Sequence, residues 1–122
     1  MGRSFAEMMG SEGATVAIHY RSPGAKAEAE DAASAVKAAG GDADVFQADL
    51  THVKEVEKLF ADVVGRFGRL DILINNAGVV VKKPFAEITE EDYDLCFGVN
   101  SKAAFFCMRE AGRLMENDGR II

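Results

Sequence analysis

The sequence predicts an α/β fold in which parallel strands are flanked by helices. Two observations carry this. Short β-rich runs alternate with longer stretches whose apolar residues recur at helical spacing, from Ala14 to the end of the chain. Successive strands also lie a whole helix apart, too far for hairpins, so their connections should be right-handed crossovers between parallel neighbours. At 122 residues the chain suits one small domain with a single core.

The elements follow in order. Gly2 to Glu12 reads as a helix with Phe5, Met8 and Met9 on one side, stopped by Gly13. Ala14 to Tyr20 (ATVAIHY) is a strand bounded by the turn chemistry of Ser22-Pro23-Gly24. Ala25, Ala29, Ala32, Ala33, Val36 and Ala39 then mark a helix that ends at Gly40-Gly41. Asp44 to Ala48 is a short strand. Thr51 is placed to cap a helix with the stripe Val53, Val56, Phe60, Val63, Val64 and Phe67, closed by Gly68. Leu70 to Ile74 is the next strand. Thr89-Glu-Glu-Asp92 reads as a capping box opening a long helix, 89–115. Gly119-Arg-Ile-Ile122 has the character of a strand beginning.

Composition narrows the function classes. Apolar residues make up 48% of the chain, as in globular proteins generally. The net charge of −6, with both signs interleaved on helix faces, argues against a nucleic-acid surface. Cys96 and Cys107 fall on one helix, roughly 16 Å apart at about 1.5 Å per residue, too far to pair. Free thiols suit a reducing compartment. No metal site is expected, since neither His19 nor His52 has a Cys or His at ligand spacing. No leader pattern or apolar run of membrane length occurs in these residues, and the expectation is a cytoplasmic protein without membrane or nucleic-acid partners.

In an open parallel sheet, ligands sit beyond the carboxyl ends of the strands. The residues there are Tyr20-Arg21-Ser22, Gln47-Ala48-Asp49-Leu50 and Asn75-Asn76-Ala77-Gly78. An arginine, an aspartate and an amide-glycine turn would thus share one rim, with Gly78 open to close backbone approach. Ordinary strand-to-helix turns use the same residue types, so spacing alone leaves both readings open. On the long helix, Tyr93, Phe97, Ala104, Cys107, Met108 and Ala111 form an apolar stripe that contains Asn100. A buried amide there needs a hydrogen-bond partner, whether in a loop it ties down or in a site it faces. Leu95, Val99 and Phe106 lie on another side, more apolar surface than one sheet covers, which suggests a subunit contact through helix 89–115.

Asn75-Asn76-Ala77-Gly78 after a buried strand, Asp49-Leu50 one strand earlier, RFGRLDILINNAG and a downstream VNSKAAFF together resemble the short-chain dehydrogenase/reductase family. The resemblance runs along the whole chain. Within the family it is most similar to NADPH-dependent carbonyl reductases, including the β-ketoacyl-carrier-protein reductase type. It implies a Rossmann-type doubly wound parallel sheet, with residues 1–122 forming a single incomplete dinucleotide-binding domain. It further implies hydride transfer between a nicotinamide and a small carbonyl or alcohol substrate. Asn76, Ala77 and Gly78 would line the cofactor cleft. Asp49 would accept a hydrogen bond from the adenine amino group, beside Leu50. Arg21, assisted by Ser22, would pair with a ribose 2′-phosphate, favouring NADP(H) over NAD(H). Asn100 matches the family's catalytic asparagine, which holds a relay water.

Other family features lie outside these residues. Gly2 matches the last glycine of the family's glycine-rich pyrophosphate turn, whose earlier part and preceding strand would fall before Met1. No Tyr-X-X-X-Lys motif occurs, since Tyr20 is followed four residues on by Gly24 and Tyr93 by Phe97. The tyrosine that protonates the alkoxide and the lysine that lowers its pKa would therefore follow Ile122. The expectation is a truncated piece of a reductase, inactive alone. The alternatives are a non-catalytic binding or self-assembly module and a fragment without function.

Overall fold

The computed structural model describes all 122 residues, and it is α/β with every strand pairing parallel. Helix α1 (Gly2–Ser11) leads into β1 (Thr15–Tyr20), and a 3-10 turn at Pro23–Ala25 leads into α2 (Lys26–Ala38). Then come β2 (Asp42–Gln47), α3 (Val53–Phe67) and β3 (Ile72–Leu73). A 3-10 turn at Phe85–Glu87 precedes α4 (Glu90–Phe97). A π-helical segment, Gly98–Ala103, joins α4 to α5 (Ala104–Leu114), and β4 (Arg120–Ile121) follows.

The strands form two ladders rather than one continuous sheet: β1 pairs with β2 from Thr15↔Asp42 to Tyr20↔Gln47, and β3 pairs with β4. Main-chain bonds from Arg120 to Asp71, Ile122 to Leu73 and Asn75 to Ile122 extend the second ladder beyond its two paired positions. The facing edges of β1 and β3 stay unpaired. A cleft of about 930 Å3 separates them.

Each ladder has its own core. Ala6 of α1 and Ala33 and Val36 of α2 pack on Ala43, with Val16, Ile18 and Val45 around them. Val56 and Phe60 of α3 meet Cys107 and Ala111 of α5, with Leu50, Leu70, Leu73 and Met115 alongside. The small residues of α2 let it lie close on β1 and β2. In α1 the buried face is Ala6 and Gly10, not the expected Phe5, Met8 and Met9. Phe5 and Met9 instead border the cleft.

Local signals explain the helix ends. Gly68 closes α3 in the left-handed region, φ 83°, where a side chain would be strained, and its N–H donates to the Val64 carbonyl at 2.7 Å. Thr89 and Asp92 make both bonds of the expected capping box. Thr51, in contrast, does not cap α3. His52 holds that position without a side-chain bond, because the Thr51 hydroxyl donates to Asp49.

The long helix differs most from its sequence reading. Its buried positions are Val99, Ala103, Cys107 and Ala111, four residues apart, together with Glu110. The expected stripe members Tyr93, Phe97 and Met108 face outward. The π-helical segment is the reason: its wider turn rotates α4 relative to α5, so one 3.6-residue stripe cannot run through both. Val99 is buried and Phe106 half-buried in the second core, so neither belongs to an exposed contact surface. Tyr93, Phe97 and Phe105 form the outward aromatic face instead, with the rings of Tyr93 and Phe97 stacked at 4.3 Å.

Candidate functional site

The carboxyl ends of β1, β2 and β3 carry most of the candidate residues. Leaving β1, Arg21 turns its guanidinium onto Asp49, which follows β2; Nε and one terminal nitrogen donate to Oδ2 at 3.2 and 3.1 Å. The other oxygen, Oδ1, accepts from the Thr51 amide at 3.0 Å and the Thr51 hydroxyl at 2.7 Å. The Asp49 N–H donates to Glu55 at 2.6 Å, holding the turn from the α3 side. Partial burial alone would push the Asp49 carboxyl up. The Thr51 hydroxyl and amide, then Arg21, outweigh that and hold it down to about 2. Asp49 is therefore a fixed anion at neutral pH, preorganised chiefly by its own turn.

Beneath this pair, the His19 ring donates from Nε2 to the Ala48 carbonyl at 2.8 Å, tying the ends of β1 and β2 together. Ser22 is exposed at the start of the 3-10 turn. Leu50 packs against the second core and borders the cleft.

After β3, Asn76 approaches Gly2 so closely that a Cβ on Gly2 would lie 2.8 Å from Asn76 Nδ2. Gly2, Asn76 and Ala77 border the cleft between the ladders. The bare backbone of Gly78 lies against Asn100, 3.1 Å from Oδ1 at the position a Cβ would take.

Asn100 is not buried, and its partner is main chain. Its Oδ1 accepts from the Val79 N–H at 2.9 Å and its Nδ2 donates to the Val79 carbonyl at 2.8 Å. The Cys96 sulfur stands 3.6 Å from Nδ2, in position to accept the second amide hydrogen. This two-point clamp fixes the loop after β3 to the long helix at the π-helical segment. Of the two roles left open by the sequence, tying down a loop is the one the geometry displays.

Sequence reasoning missed several residues. Thr51 orders Asp49 and was expected as a helix cap. Across a shallow hollow of about 640 Å3, Arg21 and Thr51 look onto Gly98, Ser101 and Lys102 of the π-helical segment. Gly98 lies against Thr51, where a Cβ would stand 3.4 Å from Thr51 Cγ2, an ordinary contact distance. The lysine in VNSKAAFF was the available signal, but a helical lysine is ordinarily solvated. The structure contains no cluster of three metal-ligating side chains. No helix is long and apolar enough to cross a membrane.

Comparison with known proteins places the chain. A family model described as enoyl-(acyl carrier protein) reductase matches residues 1–122. The short chain dehydrogenase/reductase nsrJ of Aspergillus novofumigatus is 40% identical over 122 residues, covering all of this chain and 46% of that protein. Elsinochrome reductase 1 of Elsinoe fawcettii is 40% identical, over 45% of its length. Among solved structures, a chain from Burkholderia cenocepacia with bound NADP superposes with a TM-score of 0.91 at 53% identity. That match covers 97% of this chain and 45% of the other. A short-chain dehydrogenase/reductase from Serratia marcescens matches with a TM-score of 0.89 at 37% identity, covering 98% of this chain and 48% of that one. The chain belongs to the short-chain dehydrogenase/reductase family of oxidoreductases. It spans about half the length of the relatives it matches.

Proposed function

We propose that residues 1–122 are the nucleotide-binding part of an NADP(H)-dependent reductase acting on a small carbonyl or alcohol substrate in the cytoplasm. The observation that carries this reading is the Arg21–Asp49 pair, poised where the carboxyl ends of β1 and β2 meet. In this reading residues 1–122 form one dinucleotide-binding domain.

The residues suit the adenosine end of such a cofactor. Arg21 would exchange Asp49 Oδ2 for a ribose 2′-phosphate, a charge-assisted bidentate contact, with Ser22 beside it. That exchange frees Oδ2 to accept the adenine amino hydrogen, while Thr51 keeps Oδ1 in place. Lys102 supplies a second cation on the same hollow, and Leu50 an apolar contact. Gly2 lets the Asn76 amide close to within 2.8 Å of where a Cβ would lie, and Ala77 continues that wall of the cleft toward Gly78. A bound nicotinamide dinucleotide would supply the hydride.

Asn100 acts here as a positioning residue. Both of its amide hydrogens have acceptors in Val79 and Cys96, so a relay water would reach only the second lone pair of Oδ1. Residues 1–122 contain no Tyr-X-X-X-Lys pair, and the isolated segment should not reduce a ketone. The exposed aromatic face of Tyr93, Phe97 and Phe105 supports homo-oligomerisation through the long helix. It equally supports the second reading, a non-catalytic self-assembly module.

In the whole protein, Arg21→Asp should reverse the preference from NADPH toward NADH in kcat/KM; unchanged preference would remove Arg21 from the site. For residues 1–122, calorimetric titration with NADPH separates binding from assembly. Absence of heat, together with a sedimenting oligomer, would favour the assembly module.

A further inference from the structure

We infer that His52 is a further residue of the nucleotide site, one that takes over from Arg21 as the counter-ion of Asp49, gaining a proton, when a bound phosphate draws Arg21 away. This rests on the proposed exchange of Arg21 from Asp49 to a ribose 2′-phosphate.

The first observation is where the ring stands. His52 occupies the position just before α3, yet its side chain makes no bond to the helix N–H groups. The ring lies instead between two carboxylates. Its Nδ1 is 3.8 Å from Asp49 Oδ2, the same oxygen that holds Arg21, and 3.9 Å from Glu55 Oε1. Neither carboxylate is loose. Asp49 is fixed through Oδ1 by Thr51, and the other Glu55 oxygen takes the Asp49 N–H at 2.6 Å.

The second observation assigns the ring's hydrogen. Nδ1 is 3.3 Å from the Thr51 hydroxyl oxygen. That hydroxyl spends its own hydrogen on Asp49 Oδ1 at 2.7 Å, so in this contact Nδ1 is the donor. The neutral ring therefore carries its hydrogen on Nδ1, and an added proton from solvent goes to Nε2. The charge that results sits against Asp49 and Glu55 without any change of rotamer.

The third observation is the balance of charge around the ring. With Arg21 on Asp49, that carboxylate already has a cation and only Glu55 is unmatched. Once the guanidinium moves to a phosphate, both carboxylates face His52 with no other cation beside them, and the phosphate adds negative charge nearby. Two effects oppose an imidazolium: the N-terminal end of α3 disfavours a cation, and the ring's 67% exposure screens its partners. On the long helix, Lys102 and Asp94 look onto the same hollow as Arg21 and Thr51 with opposite signs and offset each other. Opposite charges at this range favour the charged form, and histidine is the side chain that changes charge between pH 5 and 8. The sign follows from linkage. The phosphate-bound form holds the proton more tightly than the free form, so binding takes up protons and affinity rises as pH falls through that range. A dinucleotide without the 2′-phosphate leaves Arg21 on Asp49 and should take up none.

The test uses the whole protein, oxidised NADP and NAD as probes, and the variants His52→Gln and Arg21→Gln. Calorimetric titration at pH 7 in two buffers of different ionisation enthalpy counts the protons taken up. The expected result is a measurable fraction of a proton with NADP, none with NAD, and none with NADP in His52→Gln. From pH 8 to pH 6 the parent should gain roughly threefold or more in NADP affinity relative to His52→Gln. The phosphate's own titration occurs in both proteins and cancels in that ratio. Without any ligand, Arg21→Gln should move the His52 ring signal in the NMR spectrum toward its imidazolium position at pH 7. NADP binding without proton uptake, or equal uptake with NAD, overturns the inference and leaves the cofactor reading standing. An unmoved ring signal in Arg21→Gln overturns it as well. Failure of NADP to bind at either pH removes the cofactor reading and the inference together.

Discussion

Replacing Asp49 by asparagine removes one charge and leaves the size of the side chain unchanged, so the consequences are electrostatic. The carboxyl lies at about 2 in the fold instead of its usual 3.8. Its folded value is thus depressed, and linkage gives the sign. The stabilisation is fully present above about pH 4 and is lost as pH falls toward 2. At about 1.4 kcal/mol per pH unit, the difference corresponds to roughly 2 kcal/mol at neutral pH. The Asp49 side chain is only 25% exposed, so screening trims this figure modestly. Arg21 is 49% exposed, and its share is the part that salt weakens. Urea unfolding of the parent and Asp49→Asn, followed from pH 7 to pH 2.5, reads the effect. With a slope of about 2 kcal/mol per molar urea, the midpoints should differ by roughly 1 M at pH 7 and converge near pH 2. Because Thr51 contributes more than Arg21 to holding the carboxylate, Thr51→Ala should destabilise more than Arg21→Ala. A midpoint difference independent of pH would refute the reasoning, since it would have to come from packing and not from the charge.

Three further outcomes are expected. Asn100→Ala should destabilise by about 1–2 kcal/mol, through loss of two hydrogen bonds to Val79 at a solvent-exposed site, and should speed exchange of the Val79 amide; an unchanged Val79 rate would mean the clamp holds nothing. Cys107 is 5% exposed, and burial pushes its thiol up to about 11, so a thiol reagent at pH 8 should modify Cys96 and spare Cys107 until the chain unfolds; two equally fast thiols would contradict the packing. Phe105 is 60% exposed and opposite the core face, so Phe105→Glu should lower the oligomeric state while shifting stability by less than about 0.5 kcal/mol; an unaltered sedimentation coefficient would remove the aromatic face as a subunit contact.

The parts legible in the sequence were those set by local chemistry. Gly68 could end α3 only as it does, and Thr89 with Asp92 could be read as a capping box because both bonds are local. The Ala29, Ala32, Ala33 and Val36 stripe of α2 was likewise visible, because a regular helix keeps its phase. The π-helical segment was not. No residue type marks it, and one wider turn was enough to rotate Tyr93 and Phe97 from the expected core face to the surface. The Arg21–Asp49 bond was also hidden, since each residue could be read as facing a ligand but not as facing the other. Thr51 failed for a related reason: a threonine before a helix has two ways to use its hydroxyl, and the carboxylate two residues earlier won.

Two side-chain clusters brace the rim. The Arg21–Asp49–Thr51 cluster binds the carboxyl ends of β1 and β2 into one unit, and the Asn100–Val79 clamp binds the loop after β3 to the long helix. Between them the ladders share no hydrogen bond, but side chains join the halves: Arg66 of α3 donates to Asp44 of β2 at 2.8 Å, and the Phe67 ring meets Phe46 edge-on at 6.0 Å. At the glycine contacts, a Cβ on Gly98 would meet Thr51 at ordinary van der Waals distance, and one on Gly2 would displace only the amide end of Asn76. The rim is therefore braced within each half and, on the α3 side, between them. A ligand that touches both halves meets a separation already fixed by these contacts, so less of its binding energy goes into ordering the site.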